Sequence, residues 1–346
     1  MRCKRLHRHE FIKNPPTLAD VARTAQVSTA TISRSINQPE KVAESTRNRI
    51  QQVIEQLGYT PNFGGQALAS NRSNTVGAVI PTMNNAMFAS ALQVFQEVLS
   101  ESSINLLVAS SGYSAESELR QIRSLIARGA DGLLLIGSAR PDTTTEFLQL
   151  RNIPYVIAWS YLANDERTFA GFDNVSAASQ ITKEVLQKGH TKIAMIAGKT
   201  QNNDRAKNRI KGVTKTLAQQ NLQLLETIET GYSIESGGDA FETLMTRAQK
   251  PSAVICGNDV LAAGAIVRAN QLGIKVPEKV SITGFDDIAL ASVVTPALTT
   301  VKVPQLEMGK AAAKLLLQKL SQQTPASIEL QTEVVMRQSL AKTSTG

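Results

Sequence analysis

Apolar residues near the start of the chain recur with a helical period. Leu18, Val21, Ala22 and Ala25 fall at i, i+3, i+4 and i+7, which is one face of a helix. Thr17 stands before them as an N-cap with Asp20 three residues on, a capping-box arrangement that also suits the helix dipole. Val27 closes a tight turn, and Ser28 caps a second helix whose Ile32 and Ile36 stack one turn apart. Ile50, Val53, Ile54 and Leu57 repeat the spacing, and Gly58 is placed to stop that third helix. Three such helices can bury one small core between Thr17 and Tyr59.

Pro61 breaks the pattern. The stretch NFGGQALA (62–69) could form one more helix, but Gly64 and Gly65 each cost it about 1 kcal/mol relative to alanine. It is expected to be coil unless something holds it. From Thr75 short, continuously apolar runs take over: VGAVI (76–80), NLLVA (105–109), GLLLI (132–136), YVIAW (155–159), KIAMI (192–196), SAVIC (252–256) and SITGF (281–285). Amphipathic stretches such as FASALQVFQEVLSES, ESELRQIRSLIARGA and VSAASQITKEVLQKG separate them. Apolar strands alternating with helices predict parallel sheets covered on both faces. The body is long enough for two such units, with a seam expected near Ser160 to Asp173. Ligands of open α/β sheets bind beyond the carboxyl ends of strands, here Pro81 to Phe88, Trp159, Asp173, Asn258, Asp259, Asp286 and Asp287.

The outer face of the second helix carries Thr29, Ala30, Ser33 and Arg34, which is small, polar and cationic. A helix-turn-helix needs a first helix across the DNA backbone and a second narrow enough to enter the major groove, with a side chain such as Arg34 reaching base edges or phosphates. Charge changes the picture in the same direction. Residues 1–72 hold 11 Lys and Arg against 5 Asp and Glu, so +6 of the chain's net +8 sits there. The remaining residues hold 26 against 24, a net +2. A basic head on a nearly neutral body is the electrostatic footprint of nucleic-acid binding joined to a sensing or assembly domain.

Other classes fit poorly. No apolar run reaches the roughly 18 residues of a membrane helix, so no membrane partner is expected. The start MRCKRLHRHEFIKNPP is basic and lacks an apolar core, and reads as a flexible arm rather than a secretory signal. Cys3 and Cys256 give no disulfide framework, which fits a reducing cytoplasm. AGKT (197–200) invites a P-loop reading, but Ile193 stands where that motif needs glycine. His7, His9 and His190 have no metal spacing and no nucleophile elbow, so neither a metal, a cofactor nor enzymatic activity is expected. His190 reads as a helix-end residue.

The motifs TLADVA…VSTATISRSIN, RNRIQQVIEQLGYTPN and the hinge before ALAS resemble the lac repressor family of bacterial transcription regulators. GADGLLLI, KGHTKIAMIAG, ICGNDVLAAGAI and KVSITGFDDI resemble the same family's body, which is similar to periplasmic binding proteins. The resemblance implies an all-α helix-turn-helix head with a hinge helix, and an α/β body of two doubly wound parallel-sheet subdomains. The expected divisions are a basic arm at 1–15, a head at 16–61, a hinge and linker at 62–74, one subdomain at 75–171 plus 304–331, and another at 172–303 plus 332–346. A homodimer on a palindromic double-stranded operator is implied, its affinity switched by a small effector in the cleft between subdomains. A soluble sugar receptor of the periplasmic type would share the body but lack the basic head.

On this resemblance Ser28, Thr31, Asn37 and Thr46 contact phosphates or position the head, while Thr29, Ala30 and Arg34 choose bases. Thr17, Leu18, Ser33 and Asn62 join that DNA-facing set, and Leu68 matches the hinge leucine that wedges between base steps. Gln26 replaces a customary turn glycine, which implies a strained turn, and Gln66 replaces a common hinge arginine. In the cleft Arg209 matches the family's ligand arginine, and Asn258 and Asp286 match groups that bond sugar hydroxyls. Phe88 and Trp159 stand where rings would wall the ligand, with Asp173 at the adjoining strand end. PTMNNAMFA, SGY at 111–113 and GFDN at 171–174 resemble gluconate-responsive members, so a sugar or a sugar acid such as gluconate is the expected effector.

Overall fold

A computed structural model describes residues 15–60 and 72–343. The contacts divide the chain into two units, residues 1–73 and 74–346.

In the first unit α1 (Leu18–Thr24), α2 (Thr29–Asn37) and α3 (Glu44–Leu57) enclose Val21, Ala22, Ala25, Ile32, Ile50 and Val53. These are the positions that the helical spacing singles out. Thr17 and Asp20 form the full capping box of α1, with Thr17 donating to the Asp20 carboxylate from its backbone nitrogen (2.9 Å) and its hydroxyl (2.6 Å). Gly58 ends α3 in the left-handed region at φ +62°, where a side chain would be strained. A short 3-10 turn, Pro39–Lys41, connects α2 and α3; three residues are too few for the apolar spacing to predict it.

The second unit contains two six-stranded sheets of one topology. The first holds β1 (Thr75–Ile80), β2 (Asn105–Ser110), β3 (Gly132–Ile136), β4 (Tyr155–Ala158), β5 (Phe169–Gly171) and β11 (Ile328–Glu329), in the order β11-β5-β4-β3-β1-β2. The second holds β6 (Ile193–Gly198), β7 (Thr227–Thr230), β8 (Ala253–Cys256), β9 (Ser281–Asp286), β10 (Thr299–Lys302) and β12 (Glu333–Val335), in the order β12-β10-β9-β8-β6-β7. Every pairing is parallel except that of β12 with β10.

Helices cover both faces of each sheet. On the first lie α4 (Ala86–Ser100), α5 (Ala115–Ala127) and α6 (Asp142–Leu150). On the second lie α7 (Asn174–Gln187), α8 (Asp204–Ala218), α9 (Ile234–Thr246), α10 (Asp259–Gln271) and the short α11 (Leu290–Val293). Then α12 (Gln305–Leu320) returns to pack on α4 and the first sheet. Alternate residues of β1 face different cores, with Val76, Ala78 and Ile80 on one side and Val79 on the other. That two-sided burial is why the strands read as unbroken apolar runs. The backbone passes between the sheets near residues 172, 303 and 331, and one apolar core runs through both. Among the described residues no helix is long and apolar enough to cross a membrane.

Candidate functional site

In the head, Ser28 caps α2 by accepting from the Thr31 nitrogen at 3.1 Å, and the two hydroxyls lie 2.8 Å apart. Ile32 is wholly buried, so the opposite face of α2 is turned outward: Thr29, Ala30 and Arg34 are exposed, Thr31 and Ser33 half-buried. Thr46 lies half-buried in the first turn of α3. Leu18 packs against the head core, as its place on the apolar face of α1 predicts. The turn before α2 places Gln26 at φ +53°, the left-handed geometry that a glycine would adopt without strain. The Asn37 side chain lies outside the described set, as do Asn62, Gln66 and Leu68.

In the body both sheets have the strand order 2-1-3-4-5, which reverses between β1 and β3 and again between β6 and β8. Those reversals open a crevice at the strands' carboxyl ends. Arg209, in the second turn of α8, reaches into the second crevice. Its Nε donates to Asn174 Oδ1 (3.0 Å), Nη1 to the Gly257 carbonyl (2.7 Å) and Nη2 to Asp286 Oδ1 (3.4 Å). The guanidinium also lies 3.6 Å over the Phe285 ring. Asn174 passes the connection on by donating to the Trp159 carbonyl at 2.9 Å, and the Asp286 carbonyl accepts from Gln305 at 3.0 Å. Asn174 and Gln305 stand at two of the three passages between sheets, so the site is tied to both.

Asp286 is buried at the end of β9 with φ +109°. Burial pushes its carboxyl up to about 6, and the Arg209 charge only partly opposes this. Asp259 lies deeper. Burial and the neighbouring Asp286 hold its carboxyl well above the usual range, although Thr300 Oγ1 (2.5 Å) and the Ile288 nitrogen (2.8 Å) donate to it. Asn258 caps α10 by accepting from the Leu261 nitrogen at 3.0 Å, and Asp173 caps α7 by accepting from Val175 at 2.8 Å.

The structure brings Arg209 and Asp286 together, with Asn258 next in sequence to the Gly257 carbonyl that Arg209 holds, and departs from expectation at the rings. Trp159 is only 1 % exposed and meets Phe88 edge-on, with centroids 5.0 Å apart. An open stacking wall at Trp159 is therefore corrected to a core contact, because both rings complete the apolar packing beneath α4 and α12. The indole Nε1 has no hydrogen-bond partner among the described residues.

Several groups escaped the sequence reading. Tyr113, after β2, stacks on Tyr232, after β7, with centroids 5.5 Å apart. Asn203 donates to the Tyr232 hydroxyl at 3.0 Å, and Tyr232 lies against Gly198, where a Cβ would collide with it. Asp204 accepts from the Ser138 nitrogen (2.8 Å), the Ser138 hydroxyl (2.8 Å) and Ser160 (2.7 Å), which ties α8 to the first sheet. Burial alone would raise the Asp204 carboxyl, but Arg205 and the serines outweigh it and hold it low. His190 stands just past the end of α7, as a helix-end residue, and is buried there, with Nδ1 3.0 Å from Ser252 Oγ and Nε2 3.0 Å from the Ala341 carbonyl. Thr200 of AGKT gives its N–H and hydroxyl to Glu229, at 2.8 and 2.9 Å.

Residues 17–62 match bacterial regulatory proteins of the lacI family, and residues 182–340 match a periplasmic binding protein-like domain. Catabolite control protein A of Priestia megaterium is 30% identical over 327 residues, covering 93% of this chain and 98% of that protein. The chain belongs to the lacI family. It is a DNA-binding transcriptional regulator, and α1 and α2 are its helix-turn-helix. Among solved structures, a complex of the transcriptional regulator CelR with cellobiose is 28% identical with a TM-score of 0.69, covering 94% of this chain and 99% of that one. A lac repressor dimer bound to operator and the anti-inducer ONPF shares the fold, at 24% identity and a TM-score of 0.83 over 95% of this chain and 100% of that one.

Proposed function

We propose that a homodimer of this chain represses transcription from a palindromic operator, and that a sugar or sugar acid in the cleft of the body switches its affinity. The observation that carries the reading is the buried Arg209–Asp286–Asn174 network at the carboxyl ends of the second sheet. Its polar groups lie in an apolar setting, as they do in pockets that orient a hydroxylated ligand. Two-fold pairing of helix-turn-helix heads on matching half-sites and the dimeric lac repressor–operator complex support the assembly. The CelR–cellobiose complex supports a carbohydrate effector. Sheet membership supports a division of the body at 75–171 plus 304–331 and 172–303 plus 332–346, which would form the two walls of the cleft. In the head, Thr17, Ser28, Thr31, Asn37 and Thr46 would hold the backbone, and Thr29, Ala30, Ser33 and Arg34 would read bases. The role of the family homologues as regulators supports a chain without catalytic activity of its own.

The test is operator affinity by fluorescence anisotropy, with and without a panel of sugars and sugar acids. One panel member should change the affinity by on the order of tenfold. Arg209→Ala should remove that response yet keep effector-free operator affinity within about threefold, well under 1 kcal/mol. Normal effector response in Arg209→Ala, or binding by a single monomer at saturation, would overturn the reading.

A further inference from the structure

Arg209 has little left to offer a charged ligand, since its Nε, Nη1 and Nη2 are all engaged by protein atoms. Arg205 differs. It stands four residues earlier on the same helix, so both side chains leave one face of α8. Its side chain is only 7 % exposed, yet among the described residues its sole hydrogen bond runs from Nη1 to Asp204 Oδ1, at 3.0 Å. Nε and Nη2 have no protein partner and are not sealed in the core. The guanidinium lines a small cavity with Tyr113, Asn202 and Glu118. The protein is built around it: Gly137 has φ +78°, and a Cβ there would run into the Arg205 guanidinium.

The nearby acids are already committed. Asp204 serves Ser138 and Ser160 as well as Arg205, and Glu118 accepts from Arg140 Nη2 at 3.0 Å. Asn202 also lines a larger cavity of about 880 Å³ between the loop after β3 and α8, whose wall carries Lys207 and Lys211. Neither lysine makes an ion pair among the described residues. Those lysines are exposed and belong to that outer cavity; at Arg205 itself, a buried fork with free donors is matched by an anionic group and poorly matched by a neutral hydroxyl.

We infer that Arg205 is the specificity residue of the cleft, and that the effector is an anionic carbohydrate whose carboxylate or phosphate group lies on the Arg205 guanidinium. This rests on the cleft being the effector site. Arg209, Asn258 and Asp286 are left to the hydroxyls.

Isothermal titration of the full chain with glucose, gluconate and glucose 6-phosphate tests this. At least one anion should bind on the order of tenfold or more tighter than glucose, and the better of the two names the charged group. Arg205→Gln should erase that preference, and Arg205→Lys should recover part of it. The wild-type comparison needs no variant: equal binding of all three probes, or binding of neither anion, overturns the inference. So does a folded Arg205→Gln that keeps the preference. A preference lost in Arg205→Gln, with Asn258→Ala leaving the affinity for every probe unchanged, would uphold the role of Arg205 and instead overturn the wider cleft reading.

Discussion

Tyr113 lies against Tyr232 at 5.5 Å between ring centroids and 29° between planes, one ring following a strand of the first sheet and the other a strand of the second. The contact crosses the cleft close to Arg205, whose charge bears on Tyr113. Aromatic pairs of this kind contribute about 0.5–1.5 kcal/mol beyond their buried area. A double-mutant cycle with Tyr113→Ala and Tyr232→Ala, read by urea unfolding, should return a coupling in that range. Additive losses would mean that the rings merely adjoin.

Asp286 makes stability depend on pH. Its carboxyl titrates at about 6 in the folded chain and near 3.8 when unfolded, because burial disfavours the charge. The folded chain therefore holds the proton more tightly, so this group's contribution is full below about pH 4 and is lost as pH rises through 6. The interval corresponds to about 3 kcal/mol. Asp286→Asn cannot titrate. The stability difference between wild type and variant should swing toward the variant by roughly that amount between pH 4 and pH 7. A difference that stays constant across this range would refute the shift.

Gln26 offers a gain. A non-glycine residue at φ +53° bears about 1 kcal/mol of backbone strain. Gln26→Gly should stabilise the head by about 0.5–1 kcal/mol. Hydrogen exchange of the Ile32 amide, which donates to the Ser28 carbonyl at 3.1 Å, should slow in the variant. Faster exchange would mean that glycine's greater freedom in the unfolded chain outweighs the relief.

Arg34 should separate specific from general binding. It is exposed on α2, beside Ala30 and Thr29. Arg34→Ala should cost about 1–3 kcal/mol on the operator and markedly less on random duplex, measured by anisotropy at fixed salt. Equal losses on both would assign Arg34 to phosphates alone.

The parts legible in the sequence are those with a strong period. Helices α1 to α3 and the strands GLLLI and SITGF follow from apolar spacing, because burial on one helix face or on two sheet faces leaves a plain pattern. Strand β7, TIET, is polar and half-buried at a sheet edge, and β5, β11 and β12 have three residues or fewer, too short for any period to register. The site divides in the same way. Arg209, Asn258 and Asp286 stand at predictable strand ends or helix starts. Tyr113 and Tyr232 meet only because two sheets close on one another, which no local pattern encodes. Arg205 was within reach, since a charge four residues before Arg209 shares its helix face. Trp159 was rightly placed at a strand end, but whether an indole there turns outward or into the core depends on Phe88, α4 and α12.

The return of α12 to the first sheet has a consequence for how the protein is made. Its Gly309 packs so closely on the Ala91 carbonyl of α4 that no Cβ fits between them, and Met308, Ala312 and Leu316 complete the core there. Residue 305 follows the end of β5, residue 171, by 134 positions. At roughly 5–20 residues per second a ribosome needs roughly 7–27 seconds to cover that distance. Through that interval the nascent first subdomain keeps the apolar flank of α4 open, so the half-synthesised chain, rather than the finished one, is the species that calls for chaperone protection.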